Sequence, residues 1–170
     1  MPQSLILVGP MGAGKSTIGK LLASILNLPF SDSDRVIEEK TGADIPWIFD
    51  MEGEEGFRLR ETAVLADLLQ DEPMVIATGG GIVMSEENRR LLKGDGVVVY
   101  LTASINQLVE RTYKDKKRPL LQVDDPEAKI RELIALRDPL YSEVADLVVQ
   151  TDRRSPKVVA QEIAEGYAAL

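Results

Sequence analysis

Residues 5–19 read LILVGPMGAGKSTIG, and this stretch decides the fold of the chain. A short apolar run, residues 5–8, leads into a glycine-rich turn. Apolar residues then recur at helical spacing, namely Ile18, Leu21, Leu22 and Ile25. The stretch therefore predicts a buried strand, a loop and a helix in that order.

Residues 9–16 fit the phosphate-loop pattern G-x-x-x-x-G-K-[ST]. In such a loop, glycines let backbone N–H groups point inward at phosphates, and the following helix adds its positive N-terminal end. We expect Lys15 to reach the β- and γ-phosphates and the Ser16 hydroxyl to ligate Mg²⁺. The motif predicts a nucleotide site without fixing the reaction.

Several classes of nucleotide-binding protein share this loop. A GTPase would carry Asn-Lys-x-Asp or Thr-Lys-x-Asp to read guanine, and the sequence has neither. A small-molecule kinase fits the length of 170 residues better. A nucleotide-binding switch without catalytic activity remains an alternative.

Strands and helices alternate along the rest of the chain. Apolar runs predict strands at about residues 29–31, 74–78, 97–101 and 147–150. Helices are predicted at 36–40, 45–51, 54–70, after Ser104, from Pro126 toward Arg137, and from Pro156 onward. This alternation predicts an α/β fold with a parallel sheet, helices on both faces, and ligands at the carboxyl ends of the strands.

The composition excludes several classes of function. The length suits one domain, and the net charge of −8 argues against a nucleic-acid or anionic-membrane partner. There is no Cys and no His, so proton transfer falls to Asp, Glu, Lys or Tyr. No apolar run approaches the roughly 20 residues that span a bilayer, and we expect a cytoplasmic protein.

Two aspartates follow the short second strand. Neither 74–78 nor 97–101 ends in the acidic residue that usually organises Mg²⁺ in such enzymes, so this role falls to Asp32 and Asp34. Alternate positions on an extended segment point the same way, and both carboxylates would then face the phosphate loop. The alternative is that they cap the helix near Val36, because Asp is a favoured cap residue.

Glycines, arginines and a basic segment complete the candidates. Gly79, Gly80 and Gly81, the triple glycine, would let a ligand approach the backbone, although a tight turn is an equal alternative. Arg58 and Arg137 are candidate anion ligands, but isolated arginines are usually solvated. Residues 112–124 are polar and basic without helical periodicity, which predicts an exposed flap or a solvated loop.

Together these segments resemble the shikimate kinases, and the resemblance runs along nearly the whole chain. The matching segments, in order, are residues 9–17, 32–34, 41–42, Phe49, 52–58, Glu61, 79–81, 118–121 and 137–141. The resemblance implies a three-layer α/β/α fold of the P-loop kinase type with a five-stranded parallel sheet. It also implies one kinase domain over 1–170, with a substrate-binding region at about 32–61 and a lid at about 112–124.

The implied reaction converts ATP and shikimate to ADP and shikimate 3-phosphate, a step in chorismate and aromatic amino acid biosynthesis, carried out by a monomer. By the same resemblance, shikimate is held by Asp34, Arg58, Gly79, Gly80, Gly81 and Arg137. The phosphates of ATP are held by Gly12, Ala13, Gly14, Lys15, Ser16 and Thr17. Ser16 ligates Mg²⁺ with Asp32 in its outer shell, Arg118 reaches the phosphates from the lid, and Arg111 and Arg154 flank the adenine.

The implied catalytic residues are Lys15, Asp34 and Arg118. The physical reading of the sequence agrees, because a carboxylate with three hydroxyls needs arginine forks, a carboxylate acceptor and exposed backbone groups. A gluconate kinase or a nucleotide kinase would share the phosphate loop. The segments around Asp32, Arg58 and Arg118 favour shikimate over those substrates.

Overall fold

The computed structural model describes residues 3–94, 96–112 and 125–170. Its strands are β1 (Ser4–Val8), β2 (Phe30–Asp32), β3 (Val75–Ala77), β4 (Gly96–Thr102) and β5 (Leu147–Gln150). Its α-helices are α1 (Lys15–Leu26), α2 (Ser33–Thr41), α3 (Ile45–Gln70), α4 (Glu86–Gly94), α5 (Ile105–Thr112), α6 (Pro126–Val144) and α7 (Pro156–Ala168). A short 3-10 helix, Ile82–Met84, follows the triple glycine.

The strands form one parallel sheet in the order β2-β3-β1-β4-β5. β1 is central and pairs with β3 on one side and β4 on the other. The order reverses beside β1, and in open α/β sheets such a switch point is where ligands bind. The predicted five-stranded parallel sheet is confirmed.

Alternate residues of β1 enter different cores. Leu5 and Leu7 pack with α1 and α7 on one face, whereas Ile6 and Val8 pack with α3, α4 and α6 on the other. All four side chains are completely buried. A strand buried on both faces reads as a continuous apolar run, which is why residues 5–8 do not alternate. The predicted three-layer α/β/α arrangement is confirmed.

Side-chain caps fix where several helices begin. Asp44, Asp125 and Ser155 accept hydrogen bonds from backbone N–H groups in the first turns of α3, α6 and α7. The starts predicted at Pro126 and Pro156 are therefore confirmed, with proline in the first turn of each helix.

One local prediction was wrong. Asp34 lies in the first turn of α2 and not on an extended segment, because β2 ends at Asp32.

The helix predicted after the phosphate loop is confirmed as α1. Its buried face is formed by Ile18, Gly19, Leu22 and Ala23, and Ile25 is 43% exposed. A Cβ on Gly19 would lie 2.6 Å from Cε1 of Phe30, so the helix approaches β2 closely along this side.

The predicted flap at 112–124 lies outside the described residues from 113 onward, and so does Arg118. Among the described residues, no helix is long and apolar enough to cross a lipid bilayer.

Candidate active site

The phosphate loop leaves the carboxyl end of the central strand and closes on the N-terminus of α1. Gly9, Gly12 and Gly14 have φ values of 146°, 87° and 94°, which side chains other than glycine rarely adopt. Lys15 Nζ donates to the carbonyl oxygens of Gly9 at 2.6 Å and Pro10 at 3.0 Å. The ammonium group is thus held over the loop, where phosphates would bind.

A cavity of about 390 Å³ opens above this loop, and we call it the nucleotide cavity. The predicted site residues that line it are Gly12, Ala13, Gly14, Lys15, Ser16, Thr17, Asp32, Asp34, Gly79, Gly80, Arg111 and Arg154. The lining also includes residues that the sequence did not single out: Met11, Ile18, Thr78, Thr151, Pro156 and Val159. Arg58, Gly81 and Arg137 do not line this cavity, and Arg137 instead lines a small neighbouring pocket together with Tyr141.

Asp32 caps a helix, as the alternative prediction had it, and it also contacts the phosphate loop. Its Oδ1 accepts the N–H of Asp34 at 3.0 Å and that of Arg35 at 3.4 Å, which makes it the N-cap of α2. Its Oδ2 accepts the hydroxyl of Ser16 at 2.7 Å. The Asp32 side chain therefore caps α2 and contacts the phosphate loop at the same time.

Each residue of the triple glycine lies against one predicted substrate ligand. A Cβ on Gly79 would lie 2.7 Å from Asp34 Oδ1, and one on Gly80 would lie 3.3 Å from Arg137 Nη1. A Cβ on Gly81 would lie 2.6 Å from Cζ of Arg58. The three charged groups come from α2, α3 and α6 and converge on one turn, where a Cβ at Gly79 or Gly81 would clash with them.

Arg58 is held by two carboxylates on its own helix. Its Nη1 donates to Glu61 at 3.0 Å and its Nη2 to Glu54 at 3.2 Å. Glu61 is completely buried, and desolvation raises the pKa of its carboxyl to about 7 against the opposing effect of Arg58. The buried ion pair fixes the guanidinium beside Gly81.

Arg137 is also buried, with 4% of its surface exposed. Within the described part of the chain, the Nε atoms of Arg58 and Arg137 have no hydrogen-bond acceptor. Buried donors of a charged group are costly to leave unpaired. Two such groups beside the same turn indicate a binding site for an anionic ligand.

A second group of buried residues supports this site without having been predicted for it. Asn88 donates to the carbonyl of Ile82 at 2.9 Å and lies 3.4 Å from Glu61 Oε1, while Thr62 donates to Asn88 at 2.7 Å. The spacing of three residues between Arg58 and Glu61 was a usable signal of their pairing. Nothing in the sequence marked Asn88.

Two arginines line the other end of the nucleotide cavity. Arg111 Nη1 donates to the carbonyl of Gly12 at 2.9 Å, which ties α5 to the phosphate loop. Arg154 Nη1 donates to the carbonyl of Gln150 at 2.9 Å and also pairs with Glu162. Both arginines therefore line the cavity and are hydrogen-bonded to neighbouring backbone carbonyls.

A phosphate loop on the central strand of this parallel sheet, with a pocket of buried arginines beside it, defines the class of P-loop kinases that act on small molecules. A family model described as shikimate kinase matches residues 11–168. A shikimate kinase from Pseudomonas savastanoi pv. phaseolicola is 59% identical over 168 residues, covering 99% of this chain and 98% of the relative. The chain belongs to the shikimate kinase family.

Solved structures agree with this membership. Shikimate kinase from Acinetobacter baumannii in complex with shikimate is 50% identical, with a TM-score of 0.97, and the match covers 99% of this chain and 94% of that one. Shikimate kinase from Aquifex aeolicus is 37% identical, with a TM-score of 0.84 and coverage of 98% of both chains.

Proposed function

We propose that this protein transfers the γ-phosphate of ATP to the 3-hydroxyl of shikimate. The observation that carries the proposal is the convergence of Asp34, Arg58 and Arg137 on the triple glycine, beside the phosphate loop. Membership of the shikimate kinase family supports it, and so does the bound shikimate named for the relative from Acinetobacter baumannii. The product would serve aromatic amino acid biosynthesis.

The arginines account for recognition of the substrate carboxylate. A planar guanidinium binds a carboxylate through two parallel hydrogen bonds, with geometry that a lysine does not supply. Arg58 and Arg137 each keep an unpaired Nε among the described residues and lie beside neighbouring glycines. We assign the carboxylate to these two side chains and the backbone of the triple glycine to the substrate ring.

Asp34 is proposed to receive the hydroxyl that reacts. It lines the nucleotide cavity together with the phosphate loop, and it is the carboxylate that lies against Gly79. The proton of the 3-hydroxyl would pass to this carboxylate as the oxygen bonds to the γ-phosphorus and the bond to ADP breaks. Whether Asp34 takes the proton fully or only orients the hydroxyl, its charge is needed at this place.

The phosphates of ATP are assigned to residues 12–17. Backbone N–H groups and the N-terminus of α1 would bind the phosphates, and Lys15 would exchange its bonds to Gly9 and Pro10 for phosphate oxygens. Arg111 and Arg154 are assigned to the adenine end. Arg118 lies outside the described residues, and its assignment to the transferring phosphate rests on the family resemblance alone.

The residues present fit a magnesium ion. Ser16 Oγ and Asp32 Oδ2 lie 2.7 Å apart beside the phosphate loop, and such oxygen ligands suit Mg²⁺. No group of three or more acidic residues that would hold a metal occurs in the described part of the chain. That agrees with Mg²⁺, which binds through one or two protein groups together with substrate phosphates and neutralises their charge.

The proposal is tested by a coupled assay of ADP formation against a panel of acceptors. Shikimate, gluconate, a nucleoside monophosphate and water alone are compared with ATP and Mg²⁺ in excess. We expect ADP formation with shikimate only. Equal rates with gluconate would assign the chain to another small-molecule kinase, and nucleotide binding without any turnover would favour a switch.

The monomeric, cytoplasmic state remains a prediction from the sequence.

A further inference from the structure

The carbonyl oxygens of the triple glycine are all bound within the protein. Gly79 accepts the N–H of Ile82 at 3.1 Å, and Gly81 accepts that of Met84 at 3.0 Å. Gly80 instead accepts the hydroxyl of Tyr141, which lies on α6. Two of these bonds are made by the backbone of the turn itself. The third comes from a side chain 61 residues further along the chain.

The N–H groups of the same three residues have a different environment. All three glycines are buried, yet no backbone carbonyl in residues 3–94, 96–112 or 125–170 accepts a hydrogen bond from their N–H groups. Buried backbone donors are nearly always paired in a working protein. The carbonyls of the turn are thus bound within the protein, whereas its N–H groups are available to a ligand.

The bond from Tyr141 controls the direction of one of these donors. In a trans peptide the C=O and the N–H of the following residue point in opposite directions. Because the Gly80 carbonyl is held toward α6, the Gly81 N–H points away from α6. Glycine is the residue least able to fix its own backbone. A run of three therefore needs an anchor from outside the turn to keep one orientation.

Tyr141 is built to be such an anchor. It is 1% exposed, and its ring packs against Tyr100 with centroids 4.8 Å apart. Burial raises the pKa of Tyr141 to about 12, so the phenol keeps its proton and remains a donor at neutral pH. It also lies one helical turn after Arg137, whose guanidinium lies against Gly80 as well.

We propose that Tyr141 is a positioning residue for the acceptor substrate: its hydroxyl fixes the Gly80–Gly81 peptide so that the backbone donors of the triple glycine and the Arg137 guanidinium meet the substrate together. The proposal rests on the proposed function. Tyr141 acts through Gly80 and does not touch the substrate. It therefore affects binding of the acceptor and leaves binding of ATP alone.

The test compares Tyr141→Phe with Tyr100→Phe. The first variant keeps the packed ring and loses the hydroxyl, which donates to Gly80 and also interacts with Arg137. The second is its matched control, because it loses a buried hydroxyl from the same ring pair, one that donates to Asp138 at 2.6 Å. KM for shikimate, KM for ATP, kcat and the melting temperature are measured for both variants and the wild type.

We expect Tyr141→Phe to raise the KM for shikimate about fivefold to tenfold, the effect of one lost hydrogen bond. Its KM for ATP and the constants of Tyr100→Phe should match the wild type. An unchanged KM for shikimate overturns the proposal, as does an equal rise for both substrates or an equal effect of both variants. If Tyr141→Phe does not fold while Tyr100→Phe does, the hydroxyl serves stability and the proposal is also overturned. A wild type without shikimate turnover instead refutes the proposed function, and this proposal with it.

Discussion

At the residue scale, Asp34 is the group on which the proposed chemistry depends most. Asp34→Asn keeps the size of the side chain and removes the charge that would accept the hydroxyl proton. We expect kcat to fall by about 10² or more, with an unchanged circular dichroism spectrum. Lys15→Ala should lower kcat by a similar factor, because it removes the positive charge assigned to the phosphates of ATP. An Asn variant with nearly wild-type kcat would remove Asp34 from the mechanism.

The two arginines beside the triple glycine give a prediction about affinity. Arg137→Ala should weaken shikimate binding by ~1.5 to 3 kcal/mol, because a charged hydrogen-bonded pair is lost, and leave ATP binding unchanged. Isothermal titration with each ligand measures this directly. Arg58→Ala should do the same but also lower stability, since it leaves Glu61 buried without its partner.

A suitable control for the arginines lies on the same helix. Arg131 is an exposed residue of α6 that pairs with Glu127 at 2.9 Å. Because exposed ion pairs contribute little, Arg131→Ala should bind both ligands as the wild type does. Equal loss of affinity for ATP and shikimate in Arg137→Ala would contradict the assignment of the carboxylate.

Glu61 links the site to pH. Its folded-state pKa of about 7 lies above its ordinary value of 4.5, so the folded protein binds this proton more tightly than the unfolded chain does. The stabilising contribution of this protonation is fully present below pH 4.5 and is lost as the pH rises through about 7. The free energy of unfolding of the wild type, measured relative to that of Glu61→Gln, should therefore be lower at pH 8 than at pH 5.

Denaturant unfolding at both pH values measures that difference. Glu54→Gln is the matched control, because Glu54 also pairs with Arg58 but is exposed. The difference in free energy of unfolding between Glu54→Gln and the wild type should not show the change between pH 5 and pH 8 that is expected for Glu61→Gln. A pH-independent difference for Glu61→Gln would show that Glu61 is charged throughout this range.

At the scale of elements, the break in α3 places Arg58. Gly53 has φ 74° and ψ 177°, a conformation essentially restricted to glycine, and open space surrounds the position of its missing Cβ. Gly53→Ala should therefore cost about 1 to 3 kcal/mol from backbone strain alone. The melting temperature should fall by several degrees, and the KM for shikimate should rise as the second half of α3 shifts.

Gly94 provides the comparison for that variant. It ends α4, also has open space at its missing Cβ, and has no positive φ. Gly94→Ala should keep or raise the melting temperature, because alanine favours helix. Equal effects of the two substitutions would mean that the conformation of Gly53 is not the cause.

The elements themselves were largely predictable from the sequence, and the exceptions have physical reasons. Apolar runs marked the buried strands, and Ser155 with Pro156 marked the start of α7. The extended segment predicted for Asp32 and Asp34 was wrong for Asp34, because β2 ends at Asp32 and the next residue already begins α2.

At the scale of the whole molecule, the site is a product of the topology. Asp34, Arg58, Gly81 and Arg137 come from distant parts of the chain and meet only because β1 and β3 are neighbours and α6 crosses behind them. The spacing of apolar residues along the sequence carries no information about contacts between such distant residues. The family resemblance supplied these assignments. Asn88, and the contact of Tyr141 with Gly80, are tertiary features that came only from the structure.

The most direct test of the account is the product balance of one reaction. ATP, Mg²⁺ and a limiting amount of shikimate are incubated with the protein, ADP and free phosphate are counted, and phosphorus–proton coupling in the NMR spectrum locates the new phosphate. We predict one ADP for each shikimate consumed, the phosphate on the 3-hydroxyl, and no free phosphate above a control without protein. Free phosphate in proportion to ADP, or a phosphate on another hydroxyl, would contradict the account.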